Sequence, residues 1–103
     1  MTETVKSPEN CATMVDVRAG VDETDRQLVK LLETRFGYMR AAARIKPART
    51  AVRDETRKAA VINAASQAAD KAGLPAKEIA DIWDRLVEAS IAYELVEWDN
   101  TRT

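Results

Sequence analysis

The chain of 103 residues carries 16 Lys and Arg against 17 Asp and Glu, so it lacks the basic excess that duplex nucleic acid attracts. Histidine is absent and Cys11 is the one cysteine, which excludes His-dependent nucleophiles, His-containing metal sites and an intrachain disulfide. Neither a membrane-length apolar run nor an apolar leader stretch occurs. We therefore expect a single cytoplasmic domain over residues 1–103, with no metal, no cofactor, and neither nucleic acid nor membrane as a partner.

The first predicted element is a long helix from about Met14 to Lys46. Thr13 and Asp16 resemble a capping box at its start, and Pro47 disfavours helical geometry at Lys46 and ends it. Apolar residues recur through this segment in alternating steps of three and four, as in a heptad seam. The members of this seam are Met14, Val17, Val21, Leu28, Leu31, Tyr38, Ala42 and Ile45.

Two further helices complete an all-α prediction. The second runs from about Asp54, a good N-cap, to Ala72, and Gly73 is suited to the position after its C-cap. The third begins near Pro75 and has its own seam in steps of three and four. That seam consists of Ile79, Ile82, Leu86, Ala89, Tyr93 and Val96.

The length of the first helix predicts a homodimer. At 1.5 Å per residue it extends roughly 50 Å, whereas a compact chain of this size has a radius of gyration of about 13 Å. Two shorter helices cannot cover the whole seam. Packing the long helices of two chains together is the simplest solution, and two-fold symmetry is the commonest arrangement.

Cationic residues on the first helix indicate a candidate anion site. Arg35 occupies a seam position, where it either pairs with a Glu of another helix or binds an anion. Lys46 lies three turns later on nearly the same side, whereas Arg18 is roughly 25 Å away along the axis. If the long helices pair antiparallel, the partner's Arg18 approaches Arg35 and Lys46.

The later helices add polar candidates with ordinary alternatives. Ser90 and Glu94 form an i, i+4 pair one position off the third seam, which on its own also fits a half-exposed polar edge. Asp54 and Arg57 lie at the start of the second helix, where capping and solvated charge are the simpler explanation. Cys11 has no histidine to activate it and is interpreted as structural or incidental.

Three stretches together resemble the all-α chorismate mutase family over nearly the full chain. They are VRAGVDETDRQLVKLLETRFGYMRAAARIK, VRDETR and ASIAYE. The runs SPENC and YMRAAARIK also resemble the isochorismate pyruvate lyase branch of the same fold. The resemblance implies an intertwined homodimer of three-helix chains whose two active sites each take one arginine from the partner. It also implies the rearrangement of chorismate, a dianion, to prephenate in aromatic amino-acid biosynthesis.

The resemblance assigns roles residue by residue. Arg35 and the partner's Arg18 correspond to the carboxylate clamps, and Lys46 to the residue that contacts a carboxylate and the ether oxygen. Asp54 and Arg57 match positions near the ring hydroxyl, Ser90 a position beside a carboxylate, and Glu94 the second donor to the ether oxygen. Two departures stand out. Many bacterial members have Gln in place of Glu94, and Lys58 stands where many have a Glu that accepts the ring hydroxyl.

Three functions are compatible with this pattern. A chorismate mutase explains the cationic set and the lack of histidine together, because a pericyclic reaction needs positioning and charge but no nucleophile. An isochorismate pyruvate lyase shares the fold, and VRDETR and Glu94 favour the mutase over it mildly. A non-catalytic helical dimer that binds a partner enzyme or a metabolite is disfavoured, since each buried cation costs stability without an anion.

Overall fold

The computed structural model describes residues 5–102, which form three α-helices and two short 3-10 turns. Helix α1 spans Met14–Ile45, α2 spans Glu55–Lys71 and α3 spans Ala76–Asn100. The 3-10 turns lie at Pro8–Asn10 and Arg49–Ala51. No strand occurs within residues 5–102, so the all-α prediction with a long first helix is confirmed.

The ends of α1 follow from local side-chain chemistry. Thr13 Oγ1 accepts a hydrogen bond from the backbone N–H of Asp16 at 3.2 Å, as the predicted cap requires. In a capping box the Asp16 side chain would accept a hydrogen bond from the N–H of Thr13. Here Asp16 Oδ2 accepts instead from the N–H of Ala12, one residue earlier, at 3.0 Å. The helix ends at Ile45, one residue before the predicted end, because Pro47 already restricts the backbone of Lys46.

Both ends of α2 are capped as the sequence predicts. The Asp54 carboxylate accepts from the N–H of Arg57 at 3.0 Å. After the C-cap, Gly73 adopts a positive φ of 73°, the left-handed conformation that glycine tolerates best. The N–H of Leu74 bonds to Ala69 O at 2.8 Å, and the N–H of Gly73 bonds to Asp70 O at 3.1 Å. This pair of bonds is a Schellman motif, which turns the chain directly into α3.

The described chain divides into two compact units, residues 5–36 and residues 37–102. In the first unit the N-terminal arm packs on α1, where Lys6 Nζ lies 3.2 Å from Asp16 Oδ2. In the second unit α2 packs against α3. Its buried apolar residues are Ala43, Val52, Ala69 and Val87. The expectation of one domain over residues 1–103 stays a prediction.

Most of the predicted seam of α1 is exposed in the single chain. Leu28, Leu31 and Tyr38 retain 51%, 66% and 69% of their accessible surface, and Ile45 retains 77%. A row of large apolar side chains in water is unfavourable by about 25 cal/mol per Å² of apolar surface. Such a continuous apolar face is typical of a surface that packs against another chain. Within residues 5–102, no helix combines the length and apolar character needed to cross a bilayer.

Candidate active site

An ion pair between half-buried Lys46, just after α1, and buried Glu94 joins this end of α1 to α3. Lys46 Nζ lies 2.7 Å from Glu94 Oε2, and the Glu94 side chain is only 5% exposed. Lys46 Nζ also donates to the carbonyl of Val52 at 3.4 Å, so the ammonium is held between α3 and the loop after α1. Lys46 and Glu94, two of the functional residues predicted from the sequence, are therefore in contact at the start of the loop that connects α1 to α2.

The geometry of this pair leaves one atom incompletely satisfied. Although Lys46 Nζ is in ion-pair contact with Glu94 Oε2, that oxygen has no hydrogen-bond donor in proper geometry within residues 5–102. Buried polar atoms in folded proteins nearly always have such a partner. A ligand that donates a hydrogen bond to this oxygen would complete it.

The other predicted site residues of this unit lie on two helices, Ser90 on α3 and Asp54 and Arg57 at the start of α2. Ser90 is buried one turn before Glu94 on α3, and its hydroxyl donates to the carbonyl of Leu86 at 2.7 Å. Asp54 and Arg57 meet at the start of α2 through the N-cap bond, and both side chains are exposed. The capping role predicted for Asp54 is confirmed, and its place near a substrate hydroxyl stays a prediction.

Arg18 and Arg35 belong to the unit of residues 5–36, and both lie on α1. Arg18 is exposed and Arg35 is half-buried. Their convergence on Lys46 and Glu94 across a dimer stays a prediction. The same unit contains a cavity of 370 Å³ between the arm and α1, lined in part by Cys11, Gly20 and Asp25. It contains none of the predicted site residues, and Cys11 is half-buried there with its Sγ 3.5 Å from Ser7 O.

Lys58, one of the two departures from the family pattern, forms ion pairs with carboxylates on α3. Its Nζ lies 2.7 Å from Glu88 Oε2 and 3.2 Å from Asp84 Oδ1. Arg53 also binds Glu88, with two bonds of 2.8 and 3.1 Å. Hydrogen bonds from Arg53 first and Lys58 second lower the pKa of Glu88 to about 2. In turn, the pKa of Lys58 and the pKa of Arg53 are raised, in both cases first by the hydrogen bond to Glu88.

Sequence reasoning missed two residues that contact the site. Trp98 Nε1 donates to the carbonyl of Lys46 at 3.0 Å, and Arg102 Nη2 donates to the same oxygen at 2.7 Å. Trp98 follows Glu94 by four residues, which places it on the same side of α3, and Arg102 lies in the turn just after the helix ends at Asn100. That spacing was visible in the sequence, but nothing in it showed that a backbone carbonyl would be their partner.

Similarity to known proteins points to an enzyme of the chorismate mutase or isochorismate pyruvate lyase type. Residues 17–95 match the sequence model of the family described as chorismate mutase type II, and the chain belongs to that family. The chain is also 30% identical over 98 residues to the isochorismate pyruvate lyase of Pseudomonas aeruginosa, a match that covers 95% of this chain and 97% of that protein. The family implies a small-molecule substrate.

Proposed function

We propose that this protein is a chorismate mutase, which converts chorismate to prephenate for the synthesis of aromatic amino acids. The observation that carries the proposal is the contact of 2.7 Å between the Lys46 ammonium and the buried Glu94 carboxyl group. In the rearrangement an ether C–O bond breaks while a C–C bond forms, and the ether oxygen gains negative charge. A cation beside a buried carboxyl group is suited to stabilise that oxygen.

Lys46 and Glu94 have different tasks in this proposal. Lys46 donates to the ether oxygen and to a substrate carboxylate, as its ammonium has three donors. Glu94 donates to the ether oxygen only when it is protonated, because an ionised carboxylate only accepts hydrogen bonds. In the unliganded protein the Glu94 carboxylate instead neutralises Lys46.

Two arginines hold the substrate carboxylates in the proposal, Arg35 and the partner's Arg18. Arginine is suited to this because its planar guanidinium binds a carboxylate through two parallel hydrogen bonds. The assignment is supported by the family pattern and by the exposed apolar face of α1, which requires a second chain to cover it. We therefore include a homodimer with shared sites in the proposal.

The remaining polar residues orient the substrate ring. Ser90 lies one turn from Glu94 and is proposed to contact a carboxylate, while Asp54 and Arg57 are proposed to lie near the ring hydroxyl. The bonds that Lys58 makes to Glu88 and Asp84 support the view that Lys58 does not replace the hydroxyl-accepting Glu of other members. A lysine ammonium can donate to a hydroxyl but cannot accept from it.

The second candidate is an isochorismate pyruvate lyase. It is favoured by the 30% identity over 98 residues to the lyase of Pseudomonas aeruginosa. That reaction also breaks an ether C–O bond in a dianion, while a ring hydrogen moves to the departing enolpyruvyl group to release pyruvate. Positioning and a cation at the ether oxygen serve both reactions, so the Lys46–Glu94 pair fits either.

The proposal is tested by following chorismate consumption and prephenate formation with purified wild-type protein and with Lys46→Gln. We expect turnover by the wild type and a loss on the order of 10²-fold or more in the variant, the scale for removing a charge-stabilising donor. Lys77→Gln is the matched control, because Lys77 is exposed and pairs only with Asp81 one turn away among the described residues. Equal activity of all three proteins would indicate a contaminating enzyme and contradict the proposal.

A further inference from the structure

The C-terminal end of α1 lacks donors of its own. The last four carbonyls of a helix have no partner within the helix, and here Pro47 occupies the position whose N–H would otherwise bond to Ala43 O. Ala43 is fully buried, with 0% of its surface accessible. An unsatisfied carbonyl at such a position is costly, so a donor from another part of the chain is required.

The last turn of α3 and the residues just after it supply these donors. Arg102 Nη1 donates to Ala43 O at 2.7 Å, and Arg102 Nη2 donates to Lys46 O at 2.7 Å. Trp98 Nε1 donates to the same Lys46 oxygen at 3.0 Å, which occupies both of its lone pairs. The Arg102 guanidinium lies over the Trp98 ring at 4.3 Å, so each side chain fixes the other. A cation at this end of α1 also complements the helix dipole.

This arrangement differs from that at the C-terminal end of α2 in the same unit. The C-terminus of α2 is capped within its own turn by the N–H groups of Gly73 and Leu74. The carbonyls of Ala43 and Lys46 instead meet donors 59 and 52 residues further along the chain. A remote cap does more than satisfy carbonyls, because it sets the position of one helix end relative to another element.

The remote cap fixes the end of α1 against α3, the helix that carries Glu94, the ion-pair partner of Lys46. Glu94, Trp98 and Arg102 follow one another at four-residue spacing. The first meets the Lys46 ammonium and the other two meet its backbone carbonyl. We infer that Trp98 and Arg102 are positioning residues, which hold the backbone of Lys46 so that its ammonium is placed for the ether oxygen. The inference rests on the proposed function of Lys46.

A double-mutant cycle separates positioning from general stabilisation. Arg102→Met removes the donors to Ala43 and Lys46, and we expect kcat/KM to fall on the order of 10²-fold, mainly through kcat, the scale for a misplaced catalytic group. In a Lys46→Gln background the same change should cost less than about twofold, because effects of groups that act as a unit are not additive. Trp98→Phe, which keeps a ring but loses the Nε1 donor, should give a smaller fall.

Arg49→Met is the matched control, because Arg49 binds Asp99 at 2.9 Å and joins the same loop to the same end of α3 without a bond to Lys46. It should leave kcat/KM within about twofold of wild type, as expected for an exposed ion pair. Equal losses from Arg102→Met in the two Lys46 backgrounds would overturn the inference. So would an equal loss from Arg49→Met.

Amide hydrogen exchange gives a readout that needs no turnover. The N–H of Lys46 bonds to Ala42 O at 2.9 Å, and we expect it to exchange faster in Arg102→Met but not in Arg49→Met, because the last turn of α1 then opens more often. Unchanged exchange would overturn the clamp itself. Wild-type protein that turns over neither chorismate nor isochorismate would overturn the proposed function, and the exchange comparison would still decide whether Arg102 holds Lys46.

Discussion

Lys46 and Glu94 form an ion pair of 2.7 Å, in which the buried carboxylate takes up one contact of the ammonium that the proposed reaction needs. A dianionic substrate must therefore change the state of this pair, either by displacing Glu94 from Lys46 or by binding with a proton on Glu94. A proton on Glu94 removes the repulsion between its carboxylate and the dianionic substrate, and it also turns Glu94 into a hydrogen-bond donor. The state of Glu94 is thus central to the account.

The pH dependence of catalysis tests this role of Glu94. Glu94 can donate only when it is protonated, whereas Glu94→Gln carries an amide that donates at every pH. We therefore expect kcat/KM of the variant to depend less on pH than that of the wild type, and the variant to keep substantial activity at neutral pH. The measurement is kcat/KM against pH for both proteins. If the two profiles have the same shape, Glu94 is not the titrating donor.

The sharing of sites between two chains predicts complementation between inactive variants. Arg18→Ala and Arg35→Ala should each reduce activity on the order of 10²-fold or more, because each removes a carboxylate clamp. If the partner's Arg18 completes the site of Arg35, a mixed dimer has one site with both defects and one intact site. Mixing the variants under exchanging conditions should restore part of the activity. Demonstrated heterodimers without restored activity would contradict the shared site.

Stability in acid depends on the cluster around Glu88. Its pKa is lowered in the fold from 4.5 to about 2, first by hydrogen bonds from Arg53 and then by those from Lys58. A depressed pKa means that this carboxylate stabilises the fold fully above pH 4.5 and that the contribution is lost as pH falls toward 2. The stability difference between wild type and Glu88→Gln should therefore shrink over that window.

Denaturant titrations of both proteins from pH 2 to pH 7, at one protein concentration, measure this difference. Arg53→Gln should weaken the same pH dependence, because it removes two of the bonds to Glu88. A difference that stays constant over the whole range would show that the cluster does not depress the pKa of Glu88 in solution.

Much of the fold could be predicted because its signals are local. Thr13, Asp54 and Gly73 cap helix ends through bonds to residues a few positions away, and such bonds depend only on the nearby sequence. Pro47 likewise ends α1 through its own ring. The seam of α1 was recognisable from the regular spacing of its apolar residues in the sequence. Its exposure in the single chain agrees with the predicted packing against a second chain.

The site was predictable only in part, because its contacts join residues that are distant in the sequence. Lys46 and Glu94 could be named from the family pattern, but the direct contact between them depends on how the ends of α1 and α3 meet. The roles of Trp98 and Arg102 could not be predicted, since their partners are backbone carbonyls, which every residue offers alike. The partners of Lys58 are carboxylates on α3, and they were not predictable because they lie far along the chain from Lys58.

The most direct test of the central proposal is a competition between the two substrates in one solution. Wild-type protein is given equal concentrations of chorismate and isochorismate, and proton NMR follows prephenate, pyruvate and the remaining substrates. The ratio of the two initial rates equals the ratio of the two kcat/KM values, which is how an enzyme discriminates substrates. We expect prephenate to form faster than pyruvate, and Lys46→Gln to slow both reactions. Faster release of pyruvate from isochorismate would contradict the mutase assignment and favour the lyase.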